Sequence, residues 1–268
     1  KKISSKTKMI VAQHTFGVPC DIKKISTLCN SLGIFLLEDC ALSFDSKCED
    51  KKLGNYGDAA IFSTDETKPI NTIIGGLIYT KNDTLFNKLN MLRKNSFELN
   101  KDHQTRIYKK FLFSRKYYNP NKYVFGRIMN SVNLILNKLI YGNKKPVTLN
   151  LDSTHKVENT NLSYPYPAKL PTFVARIGLY ELENWDKEKK LRKTNFDQYK
   201  KLFLNKNISC IYDDISQEIT PLRFLIVSHD LNIKIKNNLY NFFIGDSWFS
   251  SPLIGTKESP VLFGYKIG

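Results

Sequence analysis

MIVAQHTFGVPCDIKKISTLCNSLGIFLLED, residues 9–39, reads as strand, helix, strand. Residues 9–13 are a short apolar strand. Asp21 is placed to cap a helix whose Ile22, Ile25, Leu28 and Leu32 recur on one face, and Gly33 is its stop. Residues 34–38, IFLLE, form a second strand, so apolar that both faces are expected to be covered. Two strands joined by a helix imply parallel pairing in an α/β layer. Asp39 follows at the carboxyl end of that strand, where open α/β sheets bind ligands. An acidic pair, Glu38 and Asp39, leaving a buried strand is costly unless something positive meets it. The plainer role for Asp39 is a helix cap or a loop carboxylate.

Downstream, GDAAIFSTDETKPINTIIGG covers residues 57–76. A small-residue turn leads into a strand over 59–63, and Ser63 stands at its end, where a hydroxyl can hold a phosphate. Lys68 comes five residues later, in a crowded turn where desolvation can lower an amine's pKa. Gly75 and Gly76 open a strand over 77–80, and paired glycines permit close backbone approach or positive φ. The plainer reading is a hairpin-like connection with a surface lysine. A helix over about 83–93 closes this part.

The next stretch changes character. From Gln104 to Leu151 there is no acidic residue, while Arg106, Lys109, Lys110, Arg115, Lys116, Lys122, Arg127, Lys138, Lys144 and Lys145 are basic. These ten carry most of the chain's net charge of +16. Eight aromatics are interleaved over Arg106–Lys145: Tyr108, Phe111, Phe113, Tyr117, Tyr118, Tyr123, Phe125 and Tyr141. Phe125, Ile128, Met129, Val132, Leu136, Leu139 and Ile140 fall at helical spacing, so 122–141 is an amphipathic helix by pattern. A long helix or a pair follows over 170–201, then a strand at 222–227 and a helix at 231–243.

The remaining composition narrows the function classes. Hydrophobic residues make up 41% and charged residues 25% of 268, ordinary for a globular protein. Cys20, Cys29, Cys40, Cys48 and Cys210 show no CxxC pair and no zinc spacing, so no metal is expected and the thiols fit a reducing cytoplasm. His14, His103, His155 and His229 are scattered and read as surface or core residues, Trp185 and Trp248 as packing residues. No apolar run of about 18 residues suggests a membrane span. Both ends read as cut: the chain opens in KKISSKTKM and stops at Gly268 after VLFGYKI.

HTFGVPCDIKKISTLCNSLGIFLLEDCA, then GDAAIFS, then TK, then GG, in this order and spacing, resembles the DegT/DnrJ/EryC1/StrS family of sugar aminotransferases. LPTFVARIGLYELENWDKEKKLR extends the likeness, which is weak over 95–165. The resemblance implies the aspartate aminotransferase (type I) fold: an α/β large domain with a mostly parallel sheet and a smaller α+β C-terminal domain. On it, residues 1–94 are part of the large domain, 95–165 a basic aromatic insertion, and 166–268 the long helix and small domain. It implies pyridoxal 5'-phosphate (PLP) as cofactor, with Lys68 its Schiff-base lysine, Asp39 the partner of the ring nitrogen and Ser63 a phosphate ligand. The implied reaction moves an amine from an amino acid, glutamate by expectation, to a keto sugar linked to a nucleotide, in a cytoplasmic homodimer serving surface-glycan or amino-sugar biosynthesis.

The sequence departs from the family's pattern at several places. Leu42 stands where a Gln contacts the ring hydroxyl, Pro69 where Asn follows the lysine, and Ile73-Ile74 where Gly-Glu precedes the paired glycines. Pro167 aligns near an Asn that supports a neighbouring subunit's phosphate. The family's N-terminal phosphate loop has no counterpart, so this span alone is expected to bind PLP poorly. Three alternatives remain. The family's PMP-dependent dehydratases carry His at the lysine, which Lys68 argues against. A catalytically impaired member would accommodate the departures. A nucleic-acid or membrane-surface binder would use the basic aromatic segment; nucleic acid is not an expected partner. For 106–145 the plainer reading, helix 122–141 packing its apolar stripe on the main domain with the lysines solvated, stands beside the alternative of a weak membrane-surface contact.

Overall fold

The computed structural model describes residues 3–117, 121–141, 168–205, 212, 215 and 218–225. Its core is a four-stranded sheet in the order β1-β2-β5-β6, built from Met9–Gln13, Phe35–Asp39, Ala59–Ser63 and Gly76–Tyr79. β1 pairs β2 and β2 pairs β5 in parallel, with Gln13 beside Asp39 and Asp39 beside Ile61. β5 pairs β6 antiparallel, Ser63 opposite Gly76. The sheet is therefore mostly parallel, as expected, but its last pair is a hairpin. No helix fits in the connection between Ser63 and Gly76, and without a crossover two neighbouring strands can only run antiparallel.

Helix α1 (Ile22–Leu32) makes the crossover from β1 to β2 and ends on Gly33, whose φ of 62° lets its amide return to Asn30 and Cys29. Asp21 precedes the helix without a capping side-chain hydrogen bond. The apolar face seats Ile22 and Cys29 on Ala12, Leu36 and Ala60. Full burial of an aliphatic side chain such as Ile22 stabilises by roughly 1.5–3 kcal/mol. Because successive strand residues alternate between faces, α1 covers the side bearing Ala12, Leu36, Glu38 and Ala60. The opposite side bears Met9, Val11, Leu37, Asp39, Ile61, Ser63 and Ile78; Met9, Val11 and Ile78 are exposed there.

The short strands β3 (Lys47–Cys48) and β4 (Lys51–Lys52) form a separate antiparallel pair. Helix α2 (Asp83–Asn95) is capped by the Asn82 side chain on the Leu85 amide and buries none of its residues. β7 (Phe97–Glu98) then pairs in parallel with β8 (Ala168–Lys169), so the chain leaves the core beside the point where it returns. Between them lie α3 (Lys101–Tyr117), which the sequence pattern did not announce, and α4 (Tyr123–Tyr141). The helical stretch over 170–201 is a pair, α5 (Thr172–Glu183) and α6 (Trp185–Leu204). A second core joins Ile73, Ile74, Leu99, Ile107 and Val174. Residues 222–225 form no strand, and the helix expected at 231–243 lies outside the described residues, as do Pro167 and Cys210.

Candidate functional site

Asp39 and Ser63 lie on one face of the sheet. Asp39 pairs with Ile61, and Ser63 is two residues further along β5, so their side chains share the side that α1 leaves open. Both stand at the carboxyl ends of adjacent parallel strands. The Asp39 carboxylate accepts the Gln13 side-chain amide at 3.1 Å through Oδ2 and the Ala41 amide at 3.0 Å through Oδ1. These bonds fix its orientation without neutralising it, since among the described residues no cation pairs with it.

Lys68 sits in the loop that continues β5. Thr64 and Thr72 close the neck of this loop, with Thr64 N donating to Gly75 O at 3.0 Å, Thr72 N to Thr64 O at 2.8 Å and Thr72 Oγ1 to Ile74 O at 2.6 Å. The Lys68 side chain is 9% exposed and its Nζ lies 3.7 Å from Asp65 Oδ2. Asp65 organises the turn: its Oδ1 accepts from Thr67 N and Oγ1, both at 2.7 Å, and its Oδ2 accepts the Ser63 hydroxyl at 3.4 Å. Asp65 thus brings Ser63 and Lys68 together. Lys68 and Asp39 make no direct ion pair or hydrogen bond.

The paired glycines are required for two different reasons. Gly75 has φ of 111°, and a Cβ there would come 2.7 Å from Leu170 Cδ1. A Cβ on Gly76 would come 2.7 Å from Phe62 O across the hairpin. Ile73, in the place of the family's Gly, takes φ of 72°, a strained value for a β-branched residue. Its burial at 1% exposure in the second core offsets that strain.

Two acidic residues that sequence reasoning did not assign hold the frame. Glu38 is fully buried and accepts four donors: Tyr56 N at 2.6 Å and Gly57 N at 2.7 Å on Oε1, Gly54 N at 2.8 Å and His14 Nε2 at 3.2 Å on Oε2. His14 Nδ1 accepts the Cys20 amide, so the ring proton belongs on Nε2. Burial pushes the Glu38 pKa up, but the His14 and backbone bonds outweigh it and the carboxyl ends below its ordinary value. His14, Glu38 and Cys40 place ligand atoms within 4.8 Å of one another, yet Glu38 and both ring nitrogens already have protein partners, which makes this a structural cluster. Asp45 meets Lys52 Nζ at 2.6 Å, Lys189 Nζ at 2.8 Å and Trp185 Nε1 at 2.9 Å, tying α6 to the loop after β2. The Glu38-Asp39 pair was the available signal for the first; the second had none, its partners Trp185 and Lys189 lying some 140 residues away.

Leu42 is buried against Phe16 and Leu222, turned into an apolar cluster. Pro69 lines a cleft of about 540 Å³ with Arg115, Tyr180 and Trp185, beside the Lys68 loop.

Compared with known proteins, residues 1–117 match the model of the DegT/DnrJ/EryC1/StrS aminotransferase family. The matched part holds Asp39, Ser63 and Lys68. A GDP-perosamine synthase of Escherichia coli O157:H7 is 41% identical over 88 residues, which is 33% of this chain and 24% of that protein. The chain thus spans about a quarter of the length of the curated relatives it matches. Two solved structures follow it much further. Helicobacter pylori PseC, an aminotransferase involved in the biosynthesis of pseudoaminic acid, covers 89% of this chain with 50% of its own, at 17% identity and a TM-score of 0.56. The E. coli GDP-4-keto-6-deoxy-D-mannose-3-dehydratase with bound hydrated PLP covers 88% with 52% of its own, at 17% identity and 0.54. At that identity these structures speak for the fold, and the chain has the type I fold of PLP-dependent aminotransferases.

Proposed function

We propose that the protein is a PLP-dependent aminotransferase that passes an amino group from an amino acid, glutamate by preference, to a keto sugar carried on a nucleotide. One observation carries the reading: Asp39 and Ser63 stand side by side at the carboxyl ends of β2 and β5, and the near-buried Lys68 follows in a loop tied to Ser63 through Asp65. The residues fit the cofactor. Asp39 is an oriented carboxylate with no paired cation among the described residues, suited to a protonated ring nitrogen, and Ser63 holds its hydroxyl by long bonds of 3.4–3.5 Å that a phosphate can replace.

When bound, PLP supplies an electron sink for the bonds at the substrate's amine-bearing carbon. Gln13 and the Ala41 amide orient the Asp39 carboxylate, whose charge would hold a proton on the ring nitrogen of a bound cofactor. Lys68 Nζ, once released from Asp65, would serve as the base that moves a proton at the substrate's amine-bearing carbon. The second face of the site comes from another subunit of a homodimer. The place of work is the cytoplasm, and surface-glycan or amino-sugar biosynthesis is the pathway class.

Borohydride reduction of the intact, PLP-loaded protein followed by peptide mapping should leave the pyridoxyl label on Lys68, and Lys68→Ala should abolish turnover with the fold intact. A label on a different lysine would overturn the assignment. The burial of Leu42 favours one other reading, a member of the family with impaired turnover, in which cofactor is bound but not cycled.

A further inference from the structure

Helix α4 carries a long apolar stripe that nothing among the described residues covers. Phe125, Ile128, Val132, Ile135, Leu136 and Leu139 are all exposed, Leu139 at 75%. At 3.6 residues per turn these positions fill a continuous arc of roughly 100° along a helix about 28 Å long. The described partner of α4 is α3, met near its beginning, where Gly126 lies on Tyr117 and the rings of Tyr117 and Phe125 are 5.7 Å apart. The segment is an excursion from the core, because β7 and β8 at its two ends pair with each other.

Charge selects the occupant. The segment holds ten basic residues and no acidic one. Among the described residues, Lys110 and Arg115 pair with Glu66 and Glu181 of the main body. A second copy seated on the stripe would bring two such acid-free segments together, which repulsion opposes. A surface with hydrocarbon behind a layer of negative charge satisfies both the stripe and the lysines. No described helix is long and apolar enough to cross a membrane, so α4 would lie in the interface rather than span it.

We propose that α4 docks the protein on an anionic lipid surface, its apolar arc at the acyl boundary and the basic residues of the segment on the headgroups. The experiment is co-sedimentation of the intact protein with phosphatidylcholine vesicles, with and without phosphatidylglycerol, at low and high salt. The expected result is binding that requires phosphatidylglycerol, weakens with salt, and falls at least about tenfold when Ile128, Ile135 and Leu139 are each changed to Gln. The variant should keep the circular dichroism and melting temperature of the parent, since these side chains are exposed. Three results would overturn the proposal: no lipid-dependent binding at low salt, equal binding to neutral vesicles, or a lowered melting temperature or altered oligomeric state in the variant, which would mean that protein covers the stripe.

Discussion

Replacing Glu38 by Gln tests whether a buried carboxylate holds the segment after β4 against the sheet. The substitution keeps the shape and exchanges one oxygen for an NH2 group. If the amide oxygen keeps Tyr56 N and Gly57 N, the NH2 faces the Gly54 amide and His14 Nε2, both donors. His14 cannot adapt cheaply, because moving its proton to Nδ1 would sacrifice the bond from the Cys20 amide. Two buried donors left unmatched cost roughly 1–3 kcal/mol each. Removing a buried charge returns part of its desolvation cost, leaving an expected loss of about 2–4 kcal/mol. Urea unfolding of the intact protein measures it, with Glu49→Gln as control; Glu49 pairs with Lys23 at the surface and should change stability by less than about 1 kcal/mol. The pH dependence follows from the same bonds. The folded carboxyl titrates below its unfolded value, so its contribution is complete above the unfolded pKa and is lost as pH falls through the folded one. The parent should therefore lose stability below about pH 4.3, and the Gln variant should show a shallower loss. A stability change under about 1 kcal/mol with an unchanged acid limb would refute the reasoning.

Three further outcomes are expected. Gly75→Ala should destabilise by about 1–3 kcal/mol in thermal or urea unfolding, because alanine at φ of 111° is strained and its Cβ meets Leu170. Asp45→Asn, which tolerates the observed φ of 59°, should cost about 1–3 kcal/mol by weakening the pairs to Lys52 and Lys189, and should alter the fluorescence of Trp185. Cys29 and Cys40 should resist alkylation at neutral pH until the protein unfolds, since burial raises both thiols above their ordinary pKa.

Strands β1, β2 and β5 and helix α1 were readable because local pattern and burial coincide. Residues 34–37 are apolar without interruption, and Gly33 marks the helix end with the one residue that takes a left-handed φ at no cost. The hairpin of β5 and β6 was legible only as the plainer of two readings, because strand direction depends on whether the connection holds a helix, and the residues after Ser63 carry no clear period. Helix α3 escaped because only Ile107, Ser114 and Tyr117 of its seventeen residues are buried, too sparse a stripe to stand out among lysines. The positions of Asp39, Ser63 and Lys68 along the chain pointed to a site. The Asp65 turn and the Glu38 cradle did not appear, since both are made of backbone donors and turn geometry that no residue type announces. Of the strand expected at 222–227, residues 222–225 form none; its last two residues and the helix expected at 231–243 lie outside the described residues.

The central claim is that Lys68, Asp39 and Ser63 hold PLP in a protein that exchanges an amino group. Its most direct measurement is the visible absorption spectrum of the intact protein after PLP loading, before and after glutamate. The account predicts a cofactor band that shifts on adding glutamate, is restored by a keto acid, and is missing from the Lys68→Ala variant before glutamate is added. A protein without such a band, or one whose band is the same in the Lys68→Ala variant, would contradict it.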